Sequence, residues 1–261
     1  MDIAEFSLDL FSLAGRNALV TGGNTGLGRA FSLALAKAGA DVFAVGLAED
    51  DGTTRRLIEG SGRRMVFMMA DITQPGVPAA IAHRCVETLG SVDILVNSAG
   101  ITKRVPTLEC SEDVWRNIMN VNLNGTLRAC QIFGKTMLRQ HCGRIINIAS
   151  LATFVAFHEV AAYGASKAAV AALTRSLAVE WAPCGVSVNA IAPGIFPTDL
   201  NRDLLDSPRG KELIARTPFA RFGTVEEIVG IAVFLASNES RFTTGQIIAV
   251  DGGFLASGVN Q

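Results

Sequence analysis

Seven short apolar runs, separated by longer stretches of helical periodicity, restrict this chain more than any other feature. The runs cover residues 18–21, 42–47, 65–70, 94–97, 144–149, 187–191 and 247–250. Most are apolar at every position, whereas a strand with one wet face alternates. They therefore read as strands covered on both faces. Helical patterns lie between them, for example at 27–38, 78–89, 111–140 and 163–182, and Gly39 follows the first as a C-terminal cap. This alternation predicts an α/β fold, a parallel sheet with right-handed crossovers. With no repeat, low-complexity tract or linker, residues 1–261 read as one domain. The least regular stretch, 193–223, contains Pro193, Pro197, Pro208 and Pro218. A long irregular segment inside a compact domain is expected to be a lid, the alternative being a surface excursion.

Charge and cysteine usage narrow the function classes. A net charge of -1 and the absence of a basic tract give no field to attract nucleic acid or an anionic membrane. Residues 1–6 carry acid where a signal peptide needs base, and no apolar run approaches the ~18 residues of a membrane span. Cys85, Cys110, Cys130, Cys142 and Cys184 are odd in number and widely spaced, as are His83, His141 and His158. This pattern predicts reduced thiols in a cytoplasmic protein with no metal centre.

The first strand runs into Gly22-Gly23-Asn24-Thr25-Gly26-Leu27-Gly28, and a helix follows. Glycines allow the backbone to turn sharply and approach a pyrophosphate, which the helix N-terminus then attracts. The spacing G-x-x-x-G-x-G differs from the common dinucleotide pattern, and no Gly-Lys-Ser/Thr suggests an ATPase. A 2′-phosphate would need a cation at the end of the second strand, and a 2′-hydroxyl favours a carboxylate. That strand ends at Val45-Gly46-Leu47 with neither, Thr25 is not basic, and Glu49, Asp50 and Asp51 follow. The acids favour NAD without excluding NADP; alternatively they form only a solvated turn.

Tyr163, the only tyrosine, lies four residues before Lys167 on one helical face, and Ser150 follows the apolar run at 144–149. The carboxyl edge of such a sheet is where ligands bind. A phenol with pKa ~10 needs ~4 kcal/mol of help to act near pH 7. An ammonium ~4 Å away at effective dielectric ~20 supplies that much. Ser150 can then hold a substrate oxygen while Tyr163 exchanges its proton.

Taken in order along the whole chain, these features resemble the short-chain dehydrogenase/reductase family. The likeness runs from Phe11-Ser12-Leu13-Ala14-Gly15-Arg16 to Asp251-Gly252-Gly253. It includes Thr21 to Gly28, Asp71 with Ile72, Asn97-Ser98-Ala99-Gly100, Asn122, and Pro193-Gly194-Ile195 through Thr198. The resemblance implies a Rossmann-type doubly wound sheet of order 3-2-1-4-5-6-7 and catalysis by Asn122, Ser150, Tyr163 and Lys167. Asn122 would position a water. It places the cofactor against Gly22, Asn24, Thr25, Gly26, Leu27, Gly28, Leu47, Asp71, Ile72, Asn97, Ala99 and Gly100. Tyr163, Lys167, Pro193, Gly194, Ile195 and Thr198 would complete that site, usually in a homotetramer. Gly46 departs from the pattern, standing where NAD-preferring members often carry Asp.

Within the family the likeness is to sugar-acid dehydrogenases acting at C5 of gluconate or of 2-dehydro-3-deoxygluconate. A carboxylate substrate wants a cationic clamp, and Arg104 is the candidate beside Lys103; both could equally be solvated. His158 could line the substrate pocket or be a loop histidine without a catalytic role, and Phe154, Phe157 and Phe196 are candidates for the pocket wall or for oligomer contacts. Alternatives are a 3-oxoacyl thioester reductase using NADPH, another alcohol, polyol or steroid dehydrogenase, and a dinucleotide-binding regulator without catalysis.

Overall fold

The computed structural model describes residues 7–198 and 201–258. Its centre is a seven-stranded parallel sheet: β1 Asn17–Thr21, β2 Asp41–Gly46, β3 Met65–Met69, β4 Ile94–Asn97, β5 Gly143–Ile148, β6 Val186–Pro193 and β7 Ile247–Val250. The strand order is β3-β2-β1-β4-β5-β6-β7, the order implied by the resemblance.

The apolar runs form strands because both faces are covered. Ala18, Val20, Val42 and Ala44 pack on one side with Phe31, Leu35, Ile228 and Leu235. Their neighbours Leu19, Phe43 and Val45 point the other way, onto Ile81, Phe133, Met137 and Trp181. The first layer holds α1 (Gly26–Lys37) and α9 (Val225–Ala236); the second holds α3 (Val77–Leu89), α5 (Thr126–Gln140) and α6 (Ala161–Trp181). Order reverses between β1 and β4, which opens a crevice at the carboxyl ends of those strands.

Two local readings change. The stretch 111–140 is not one regular helix: α4 (Glu112–Met119) passes through a widened π-type turn, Asn120–Gly125, before α5. Such turns insert a residue and re-aim side chains, here placing Asn122 in the interior. The segment 193–223 is not structureless either. It carries α7 (Arg202–Leu205) and α8 (Pro208–Ala215), the latter capped by Ser207, whose Oγ accepts the N–H of Gly210. The remaining helix, α2 (Thr53–Glu59), follows β2. All five cysteines are free thiols. Among the described residues no helix is long and apolar enough to cross a membrane.

Helix α5 makes room for α6 at Gly134. A Cβ on Gly134 would lie 2.6 Å from Cη2 of the buried Trp181. Alanine would gain about 1 kcal/mol of helix propensity, but overpacking against a buried indole costs about 1–3 kcal/mol. Gly134→Ala is therefore expected to destabilise the fold and alter Trp181 fluorescence, as denaturant titration would read.

Candidate active site

The glycine loop is built for close approach. Gly22 has φ +67°, and a Cβ there would stand 3.1 Å from the Cα of Ala99. A Cβ on Gly28 would overlap the carbonyl of Gly22. Thr21 ties this loop to the turn after β4, its Oγ1 accepting the N–H groups of Ser98 and Ala99, each at 3.1 Å. Thr25 opens α1 without a side-chain cap, so the first-turn N–H groups remain free for an anion. Thr198 closes on this loop, its Cγ2 3.6 Å from where a Gly26 Cβ would be. A glycine-walled cradle against an uncapped helix fits a pyrophosphate.

At the far end of the cradle, the space over Gly46 is filled by the Asn24 amide, which a Cβ on Gly46 would strike. Asn24 Nδ2 donates to the Ala48 carbonyl at 3.0 Å. Leu47 lies open, 68% exposed. Arg29 donates Nε to the Asn24 carbonyl at 2.8 Å and to Thr54 Oγ1 at 3.0 Å, and Nη2 meets both oxygens of Asp51 at 3.2 Å. Hydrogen bonds from Thr53, and then from Arg29, hold the Asp51 carboxyl below its ordinary value. Burial opposes ionisation of Asp71, but donors on Thr73 and Gln74 outweigh it and lower its pKa. Ile72 beside it is buried, its Cδ1 against Gly125.

Below the turn after β4 lies a polar chain that sequence reasoning missed. Asn97 Nδ2 donates to Asn147 Oδ1, and Asn147 Nδ2 donates to Thr174 Oγ1, both at 2.9 Å. Asparagines in otherwise apolar strands were the available signal. Asn97 Oδ1 is buried with no partner among the described residues.

Ser150 stands two residues beyond β5, its Oγ accepting the Ala152 N–H at 3.1 Å, and it shares a hydrogen bond with Tyr163. Lys167, 5% exposed, donates Nζ to the Ile148 carbonyl at 2.7 Å and lies 5.8 Å from the Tyr163 ring centroid. A Cβ on Gly100 would be 3.4 Å from that Nζ and 3.3 Å from Asn122 Oδ1, so the turn after β4 meets both. The Asn122 amide is fully engaged: Oδ1 accepts the Ile101 N–H at 2.8 Å, and Nδ2 donates to the Ile101 carbonyl at 3.0 Å and to Ser166 Oγ at 2.9 Å. Its own carbonyl accepts Thr126 Oγ1 at 2.8 Å.

The electrostatics correct the sequence-based expectation. In the protein alone the Tyr163 phenol is not lowered; burial raises it, and the Ser150 hydrogen bond only partly opposes that. Burial also pushes Lys167 down to about 8. An ammonium committed to a carbonyl and desolvated itself does not overcome the cost of burying a phenolate.

The remaining candidates sit along the rim. Arg104 donates Nε to Glu159 Oε2 at 2.6 Å, so the expected clamp already holds a carboxylate. Lys103, Phe154 and His158 are exposed. The Phe157 ring stacks obliquely on Phe254 at 5.9 Å. Gly194 donates its N–H to Val250 O at 2.8 Å, fixing the start of the segment Pro193, Gly194, Ile195. Behind it Ile195 and Phe196 line a cavity of about 250 Å³ with Thr217, Phe219 and Asp251, which none of Ser150, Tyr163 and Lys167 reaches. Two residues of the expected lid, 199 and 200, lie outside the described residues.

The family described as enoyl-(acyl carrier protein) reductase matches residues 22–255. The 2-dehydro-3-deoxy-D-gluconate 5-dehydrogenase of Bacillus subtilis is 43% identical over 249 residues, 95% of this chain and 98% of that protein. The structure of a gluconate 5-dehydrogenase from Burkholderia cenocepacia, in complex with NADP and tartrate, superposes with TM-score 0.92 at 37% identity. It covers 97% of this chain and 100% of that one. A short-chain type dehydrogenase/reductase from Mycobacterium marinum gives TM-score 0.91 at 34% identity, over 96% and 99% of the two chains.

The Lys167 geometry has a signed consequence. Moving its pKa from 10.5 to about 8 makes the buried ammonium cost roughly 3 kcal/mol at neutral pH. The unfolded chain holds this proton more tightly, so the cost is full below about pH 8 and is relieved as pH rises to 10.5. Wild type is therefore expected to gain stability relative to Lys167→Met across that window, by up to roughly 3 kcal/mol. Denaturant midpoints at each pH measure it, and parallel profiles would contradict a buried charge.

Proposed function

The chain belongs to the short-chain dehydrogenase/reductase family, and from that premise we propose that it transfers a hydride between NAD and a secondary alcohol or ketone on a sugar acid. The observation that carries this reading is the meeting of Ser150, Tyr163, Lys167 and Asn122 beside the glycine cradle, at the carboxyl ends of β4 and β5. The relative's name, a 2-dehydro-3-deoxy-D-gluconate 5-dehydrogenase, supplies the substrate class.

In oxidation Ser150 would hydrogen-bond the substrate hydroxyl oxygen, and Tyr163, ionised once the cofactor's positive charge stands beside it, would take the hydroxyl proton as the carbonyl forms. A bound nicotinamide would supply the acceptor for the hydride that leaves the same carbon. Lys167 supplies positive charge beside the phenolate and donors for the nicotinamide ribose. Asn122 contributes placement, locking Ile101 to Ser166, and would position a water for the proton relay. Gly22, Asn24, Thr25, Gly26, Leu27 and Gly28 hold the pyrophosphate and adenosine side. Leu47, Asp71, Ile72, Asn97, Ala99 and Gly100 line the adenosine and the floor. Pro193, Gly194, Ile195 and Thr198 cover the nicotinamide, and the segment 193–223 acts as the lid over the substrate. Arg104 binds the substrate carboxylate.

The preference for NAD rests on charge. Asn24 occupies the space over Gly46, Glu49 to Asp51 are acidic, and the Arg29 guanidinium is already matched by Asp51. A 2′-phosphate would need that cation released. The free thiols suit a reducing cytoplasm, and the exposed Leu108, Val179 and Phe242 offer apolar surface for a homotetramer.

Formation of NADH from NAD with gluconate tests the reaction, and its absence over gluconate, 2-keto-3-deoxygluconate and polyols would overturn it. Tyr163→Phe is expected to lower kcat by about 10²- to 10⁴-fold while NADH still binds. Arg104→Ala is expected to raise KM for gluconate by about 10- to 100-fold, the loss of a charge-assisted pair. Fluorescence titration is expected to show NADH binding on the order of tenfold more tightly than NADPH, a like-charge effect.

A further inference from the structure

The loop between Ser150 and Tyr163 is clasped from three sides. The Val105 N–H donates to the Glu159 carbonyl at 2.8 Å, while the Arg104 side chain reaches the Glu159 carboxylate at 2.6 Å. On the lid side, Arg209 of α8 donates Nη1 to the His158 carbonyl at 3.2 Å. Phe157 rests on Phe254. At the centre Glu159 has φ +65°, a left-handed conformation that a glutamate adopts only when its surroundings hold it there.

An ordinary surface ion pair needs no strained backbone, and stabilises little by itself. In this conformation the Glu159 carboxylate meets Arg104 and is 22% exposed, while Arg104 remains 60% exposed. The bond uses Nε. Among the described residues Arg104 has no other hydrogen-bond or ion-pair partner, so both Nη groups are unengaged. A guanidinium gripped through one edge keeps a second, forked edge for another carboxylate. His158 Nδ1 stands 3.6 Å from the same Glu159 oxygen but is largely exposed.

We propose that Glu159 is the positioning residue for Arg104: it grips the guanidinium through Nε and presents the free Nη edge to the carboxylate of the substrate. This rests on the reading of Arg104 as the substrate clamp. It places selection for sugar acids in a pair, not in a single cation. It also makes the loop that leads into Tyr163 the element that sets the distance between carboxylate and reacting carbon.

The test measures KM and kcat for gluconate and for sorbitol in Glu159→Ala, Glu159→Gly, Arg104→Ala and the Glu159→Ala/Arg104→Ala double variant. Glycine accepts φ +65° without strain, so Glu159→Gly removes the carboxylate even where alanine disturbs the loop. Loss of Glu159 is expected to raise KM for gluconate about fivefold more than KM for sorbitol, and to add nothing once Arg104 is gone. Three results would overturn the proposal: a lower gluconate KM without Glu159, equal losses on both substrates, or an undiminished effect in the Arg104→Ala background. Unchanged gluconate KM in Arg104→Ala alone overturns the clamp itself, and the role of Glu159 with it.

Discussion

A buried ammonium organises the functional end of this protein. Lys167 points into the junction of β5, α6 and the turn after β4, with Ile148 O as its hydrogen-bond acceptor. Desolvation makes that arrangement costly, and the cost is useful only if a negative charge forms nearby. The Tyr163 phenol, one helical turn away and hydrogen-bonded to Ser150, is where that charge can form. The protein alone holds the pair in the uncommitted state: phenol protonated, ammonium penalised.

The surrounding polar side chains serve this junction by placement. Asn122 fixes Ile101, and with it the turn at Gly100, to Ser166, whose hydroxyl donates to the Tyr163 carbonyl at 2.7 Å. Asn97, Asn147 and Thr174 run a second chain through the sheet beneath. Buried amides must be matched almost completely, so each chain fixes register as well as position. At the rim, Arg104 and Glu159 repeat the logic in solvent, where geometry matters more than net stabilisation.

Much of this was legible in residue order. Strands buried on both faces announce themselves, and the alternation of Leu19 with Ala18 and Val20 sends side chains to both layers. Glycine spacing located the cradle, and Tyr163 with Lys167 located the chemistry. The π-type turn at Asn120–Gly125 was not legible, because a helical pattern does not reveal one inserted residue. Nor was Glu159: a lone acid in a loop carries no signal until a backbone angle and a partner are known. The direction of the Tyr163 shift was misjudged because charge spacing is readable from sequence and desolvation is not.

Tyr163 is the only tyrosine in the chain, so its titration can be followed without assignment. Carbon NMR of the protein labelled at the tyrosine ζ position reads the phenol directly. The account predicts a pKa above the ordinary tyrosine value in the protein alone and a clear fall when NAD is bound, as the second positive charge arrives. A phenol that titrates at the same pH with and without NAD would contradict it.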